Sequence, residues 1–211
     1  MKQANLLMVG VAFALLSFGG IGVAAETPSE TKMLCSVPAG VGSPAVKLTI
    51  RKELRADGIY LAAVDAAGKQ VWESANLGSE DKKFVIDKQA STLIAKDLTG
   101  DGSPEVITAA YYGPGSGLYV YTWDAKAAKF APIPCVYPKN PDANREYLVA
   151  DIPQENGEDM LFQSDSNVRI MGKIYPEKET ESVVDGFYYF ELKNGTFTFL
   201  KQEKIPGQKG K

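Results

Sequence analysis

"LIAKDLTGDGSPEVITAAYYGPGSGLYVYTWD", Leu93 to Asp124, contains three runs rich in Val, Ile, Ala and Tyr, separated by two stretches of glycine, proline and acid. Short β-branched and aromatic runs bounded by such breakers read as strands, and none of them keeps a helical apolar period. The same pattern extends from Val46 to Leu200, so the chain is expected to be all-β and antiparallel. Turn signals recur between the runs: "RADG" (Arg55 to Gly58), "DAAGK" (Asp65 to Lys69), "LTGDGSP" (Leu98 to Pro104) and "KNGT" (Lys193 to Thr196). The last is also a formal Asn-x-Thr sequon, but Asn-Gly between two aromatic runs reads as a hairpin turn.

Stacking the hairpins shows an internal repeat. "GIYLAAVDAAGKQVW" starts at Gly58, "GLYVYTWDAKAAKFAPI" at Gly117 and "GFYYFELKNGTFTFL" at Gly186. Each has a glycine, an apolar residue, a tyrosine, a β-run, a polar turn and a second β-run. Two are preceded by an acidic loop, "LIAKDLTGDGSPEVITAA" before Gly117 and "LVADIPQENGEDMLFQS" before Gly186. Repeats at this spacing suggest about three units, an incomplete propeller or a compact β fold.

Residues 1–25 read as a secretory signal peptide, with Lys2, an apolar run from about Leu6 to Val23 and a small-residue site at Val23-Ala24-Ala25. Residues 26–45 are then an N-terminal linker, 46–202 the β-repeat domain and 203–211 a flexible tail. The expected location is periplasmic or secreted, without membrane insertion after cleavage. Removing residues 1–25 takes away one Lys and no acid, which leaves a formal charge of −4. That balance recruits neither nucleic acid nor an anionic membrane.

The chain has no histidine. This excludes Ser-His-Asp and Cys-His catalysis and any imidazole-ligated metal, so a bound metal must be held by oxygen. Two cysteines, Cys35 and Cys135, in an exported chain are expected to pair. Such a bridge closes a loop of about a hundred residues, worth about 4–5 kcal/mol in the chain-entropy picture.

The loop "DLTGDGSPE" carries Asp97, Asp101 and Glu105 at every fourth position, with Thr99 and Ser103 between them. Ca²⁺ takes six to eight oxygen ligands, and alternating residues of a tight loop can point inward at it. The spacing is not that of an EF-hand, because position twelve is Thr108 and the flanks are strands. A Gly-Asp-Gly turn that holds no ion is the plain alternative.

Asp97 to Asp124 resembles the FG-GAP or VCBS repeat of integrin α-chain propellers and bacterial secreted proteins. In that family an Asp-x-Asx-x-Asp-Gly-x-x-Asp loop joins two strands of a blade and binds Ca²⁺; "GPGSGLYVY" is similar to the turn and strand that follow. The resemblance implies side-chain ligands from Asp97, Thr99, Asp101 and Glu105 and a carbonyl ligand from Ser103. Thr99 replaces the usual Asn or Asp, and Glu105 the usual Asp, which implies weak or intermediate affinity. In the loop Asp151 to Asp159 an inserted residue and Asn156 imply an empty relative.

The expected function is a non-enzymatic, calcium-binding β-repeat module that binds a protein or glycan at the cell envelope. Two other readings stay open: a carboxylate-based hydrolase acting on envelope glycans, and a metal-free structural β protein. The aromatic stretch Tyr111 to Trp123 could present a peptide- or sugar-binding surface, although strand tyrosines commonly serve the core. "GPGSG" lacks the lysine and helix of a phosphate loop.

Overall fold

A computed structural model describes residues 31–154, 157–163, 167–175 and 182–207. Among the described residues the regular elements are strands, with a 3₁₀ turn at Pro141–Ala143. The expected leader, residues 1–25, lies outside the described residues. No helix among the described residues is long and apolar enough to cross a membrane.

The first sheet is a meander, β1 (Lys32–Val41), β2 (Val46–Arg55), β3 (Gly58–Val64) and β4 (Gln70–Glu73), paired in chain order. "RADG" and "DAAGK" make two of its turns, as their glycines and aspartates predict. In the second, Asp65 Oδ1 accepts the N–H groups of Ala67 and Lys69, the local bonding that favours Asp in turns. Residues 32–41, expected to be linker, form a ten-residue strand paired along its length with β2. Pro38 sits within β1, on an edge strand, where a missing N–H is tolerated.

The central sheet also has a four-strand meander, β8 (Leu93–Lys96), β9 (Glu105–Tyr112), β10 (Gly115–Asp124) and β11 (Lys129–Pro132). Two short pieces extend its borders: β5 (Glu80–Asp81) continues the β8 side along β9, and β13 (Leu148–Val149) continues the β11 side along β10. Between β5 and β8 lies a hairpin of β6 (Phe84–Ile86) and β7 (Gln89–Ser91). The third sheet follows the same plan, with β14 (Leu161–Phe162), β15 (Asn167–Ile174), β16 (Val184–Lys193) and β17 (Thr196–Lys204) in order. On its outer edge β12 (Cys135–Val136) pairs parallel with β17.

The three hairpins found by stacking are therefore β3–β4, β10–β11 and β16–β17, the last two strands of each meander. Their leading glycines have a common cause, which is crowding. A Cβ at Gly58 would overlap the Gly78 carbonyl, and one at Gly186 would overlap Ile174 and the Glu203 carbonyl. The tyrosines do not share a role. Tyr60 hydrogen-bonds Asp57, Tyr119 is buried and donates to the Leu77 carbonyl, and Tyr188 donates to the Lys173 carbonyl.

The sheets stack, with the central one buried on both faces. Val106, Ala110, Tyr119 and Tyr121 face the first sheet and pack with Leu48, Ile50, Ile59 and Leu61. Ile107, Ala109, Leu118 and Val120 face the third and pack with Val168, Ile170, Phe190 and Phe197. This explains the apolar runs of β9 and β10, which are continuous because neither side meets water. It also places most of Tyr111 to Trp123 in the core: Tyr119 and Tyr121 are buried, and Trp123 packs on Phe130. None of the three sheets closes on itself.

A charged group is inserted between the first two layers. Lys52, fully buried and third in the inward row after Leu48 and Ile50, donates to the carbonyls of Thr92 and Ala109 and pairs with Asp81 at 2.5 Å. Burial lowers its ammonium pKa, and Asp81 opposes that shift.

The expected disulfide is corrected by this layering. Cys35 and Cys135 are both free. Cys35 packs against the core between the first and central sheets and lies 3.1 Å from the Thr92 hydroxyl, whereas Cys135 is buried in the core on the other side. Apolar surroundings push the Cys135 thiol up to about 12, the state of an inert buried cysteine.

Candidate functional site

The acidic loop connects β8 to β9, the first two strands of the central meander, and each predicted residue has a definite place there. Asp97 is exposed, but its carboxylate turns into the loop: Oδ1 accepts the Gly100 N–H at 2.7 Å and Oδ2 the Gly102 N–H at 2.9 Å. These backbone donors, Gly102 foremost, hold its pKa below the usual carboxylate value. Gly100 and Gly102 lie at φ of 75° and 84°, which lets the loop curl around that carboxylate. Asp101 is exposed and caps its own turn, accepting the Ser103 N–H at 2.7 Å.

Glu105 is different, being fully buried at the start of β9. Its Oε2 accepts the Leu98 N–H at 2.7 Å; its Oε1 accepts the Thr122 hydroxyl at 3.1 Å and lies 3.5 Å from the Thr99 hydroxyl. Burial raises its pKa most, and the charges of Asp101 and Asp97 raise it further, against the bonds from Leu98 and Thr122. The structure thus brings Thr99 to Glu105 and places two more carboxylates within electrostatic reach. Among the described residues, however, no three acids converge as a ready metal-binding group. Ser103 faces the first sheet, where its Oγ accepts the Gly42 N–H at 3.3 Å.

That last contact exposes a signal the repeat reading overlooked. Gly42-Ser43-Pro44-Ala45-Val46 matches Gly102-Ser103-Pro104-Glu105-Val106 in four of five residues. Both stretches join the first and second strands of their meander, and both start from a left-handed glycine, at φ 76° and 84°. The β1–β2 turn is therefore the counterpart of the acidic loop, shorter and with Ala45 where Glu105 stands.

The loop Asp151 to Asp159 is not that counterpart. It runs from β13 in the central sheet to β14 in the third, and an extra strand, β15, separates it from the Gly186 hairpin. Asn156 lies outside the described residues. The acids that are described bond away from the loop. Asp159 Oδ2 accepts the Val85 N–H at 2.7 Å, and Glu158 Oε1 accepts the Lys88 N–H at 2.7 Å. The Lys82 ammonium donates to the Ala150 carbonyl and lies 3.5 Å from Asp159 Oδ1.

A second concavity, which sequence reasoning missed, borders the third sheet. A cleft of about 810 Å³ is lined by Ile170, Tyr188, Phe190 and Phe199 on one side and by Tyr137 and Arg145 on the other. These residues are scattered over more than sixty positions, so no local motif could reveal it. Comparison with protein-family models, curated proteins and solved structures returns no match to this chain.

Proposed function

We propose that the protein is an exported, non-enzymatic module of FG-GAP or VCBS type. Its β8–β9 loop takes Ca²⁺ through Asp97, Thr99, Asp101, Ser103 and Glu105, and its sheets present loops to a protein or glycan at the cell envelope. Glu105 carries this reading. It is a buried carboxylate under repulsion from two neighbouring acids, and no ammonium or guanidinium of the described chain pairs with any of the three. A divalent cation would relieve that repulsion. The place of the loop, between the first two strands of an antiparallel four-strand meander, also suits a blade of that family. Binding must draw Asp97 and Asp101 away from their amide partners, in keeping with modest affinity.

One observation favours a metal-free structural role instead: the loop's own N–H groups already satisfy Asp97 and Asp101. Thermal unfolding with added Ca²⁺ and with chelator, beside Asp101→Ala, separates the two readings. At a hundredfold excess over Kd the ion should add about 2.7 kcal/mol, and the gain should vanish in the variant. Identical curves with ion and chelator reject the calcium site.

A further inference from the structure

The cleft beside the third sheet has a built arrangement of rings and one positioned cation. Its floor is Phe190 and Ile170, both buried, flanked by the half-buried rings of Tyr188 and Phe199. Tyr137 closes the facing wall; its ring stacks on Phe199 at 5.0 Å and meets Phe190 edge-on at 5.9 Å. Burial raises the pKa of both the Tyr137 and Tyr188 phenols, with Arg145 opposing, so the rings stay neutral near pH 7.

Arg145 is held from three directions. Its backbone N–H donates to the Cys135 carbonyl at 3.1 Å, its carbonyl accepts the Cys135 N–H at 2.7 Å, and its Nε donates to the Ala143 carbonyl at 3.1 Å. Its guanidinium lies 5.7 Å from the ring centres of both Tyr137 and Tyr147. Among the described residues no carboxylate pairs with it. The other cations of the cleft are committed or peripheral: Lys173 pairs with Asp185, Lys201 pairs with Glu203, and Lys139 is an exposed rim residue. Asp151 is the one described acid lining the space, and its Oδ1 is occupied by the N–H and hydroxyl of Ser116.

A volume of 810 Å³ is that of a small-molecule site, and one fixed guanidinium beside an apolar floor selects a ligand with one anionic end. We propose that the cleft binds a small amphipathic carboxylate, its carboxylate paired with Arg145 and its flat apolar body resting on Phe190, Phe199 and Tyr188. A polyanion is a poorer fit, because the remaining lysines are either paired or at the rim. The site is independent of the calcium reading.

Titration calorimetry in chelator tests the proposal with three probes: 4-phenylbutyrate, its neutral analogue 4-phenylbutanol, and trigalacturonate. Phenylbutyrate should saturate the protein and bind about tenfold or more tighter than the alcohol, the discrimination expected of a charge-assisted pair. Arg145→Gln should reduce phenylbutyrate to the alcohol's affinity and leave the alcohol unchanged. Should that variant fail to fold, the ratio between the two probes on the unaltered protein still decides. Equal affinity for acid and alcohol, no saturation by low millimolar phenylbutyrate, or binding of trigalacturonate alone would each overturn the proposal.

Discussion

The two acidic loops have similar composition and answer their negative charge differently. The β8–β9 loop closes a hairpin between neighbouring strands, so its carboxylates reach only their own amides, the Thr99 hydroxyl and Thr122 on the adjacent strand. The loop Asp151 to Asp159 crosses from one sheet to another and lies against residues 82–88, from which it recruits two amides and an ammonium. A loop pressed against another segment can be neutralised by a cation covalently supplied. The β8–β9 loop answers its charge with its own amides, with no ammonium or guanidinium paired to its acids among the described residues, and the external cation proposed above would act on what those amides leave.

The largest effect should come from removing the supplied cation. Lys82→Met leaves Asp159 buried without its ammonium and is expected to cost about 3 kcal/mol in urea unfolding. Adding Asp159→Asn should recover part of the loss; if the double variant is worse than the single one, the ion pair is not what holds this loop.

Next in size is Glu105→Ala, which leaves the Leu98 N–H and the Thr122 hydroxyl without an acceptor and should cost about 2 kcal/mol. Glu105→Gln sharpens the electrostatic side. A carboxyl whose folded pKa is raised binds protons more tightly when folded, so its contribution favours low pH and is lost as pH rises from about 4.3 through the folded value. The Gln variant should lack that decline in stability, measured by denaturant titration across pH 4 to 8.

Asp97 has the opposite sign. Its folded pKa is lowered, so its contribution is present above the unfolded value near 3.9 and disappears as pH falls through the folded one. Asp97→Asn should blunt the acid-unfolding limb, an effect smaller than that at Glu105 because Asp97 is exposed. Smallest of all is Ser103→Ala, which removes the contact with Gly42 and should change stability by about 0.5 kcal/mol or less. A larger loss would mean that the two Gly-Ser-Pro turns depend on each other more than a single 3.3 Å bond implies.

Strand content and turns were legible because they depend on local chemistry. Gly58, Asp65, Gly68 and the Asn194-Gly195 turn, at φ 52° and 67°, act where they stand in the chain. Layering was not legible, since a strand buried on both faces, such as Glu105–Tyr112, shows no alternation to say which side faces which sheet. Strand β1 was hidden by Pro38 and by exposed positions suited to an edge. The disulfide expectation rested on compartment and count, and neither records that a whole sheet stands between the two thiols. Within the acidic loop the residues were legible but their aim was not: Asp97 turns to its own amides, a choice set by backbone curl rather than residue identity.

The burial of the central sheet on both faces has a consequence for the order in which the chain emerges during synthesis. Residues 93–132 can cover one side with the sheet already made from residues 32–73. Their other side, Ile107, Ala109, Leu118 and Val120, shares its core with Phe84 and Ile86 of the earlier chain but waits for residues 167–204 to supply the facing sheet. For that interval the nascent chain displays an apolar wall without its facing sheet, the condition in which sheets adhere to one another. A truncation ending shortly after Pro132 is therefore expected to be captured by chaperones or to aggregate, and strands β15 to β17 act as the cover that makes the rest of the protein safe to release.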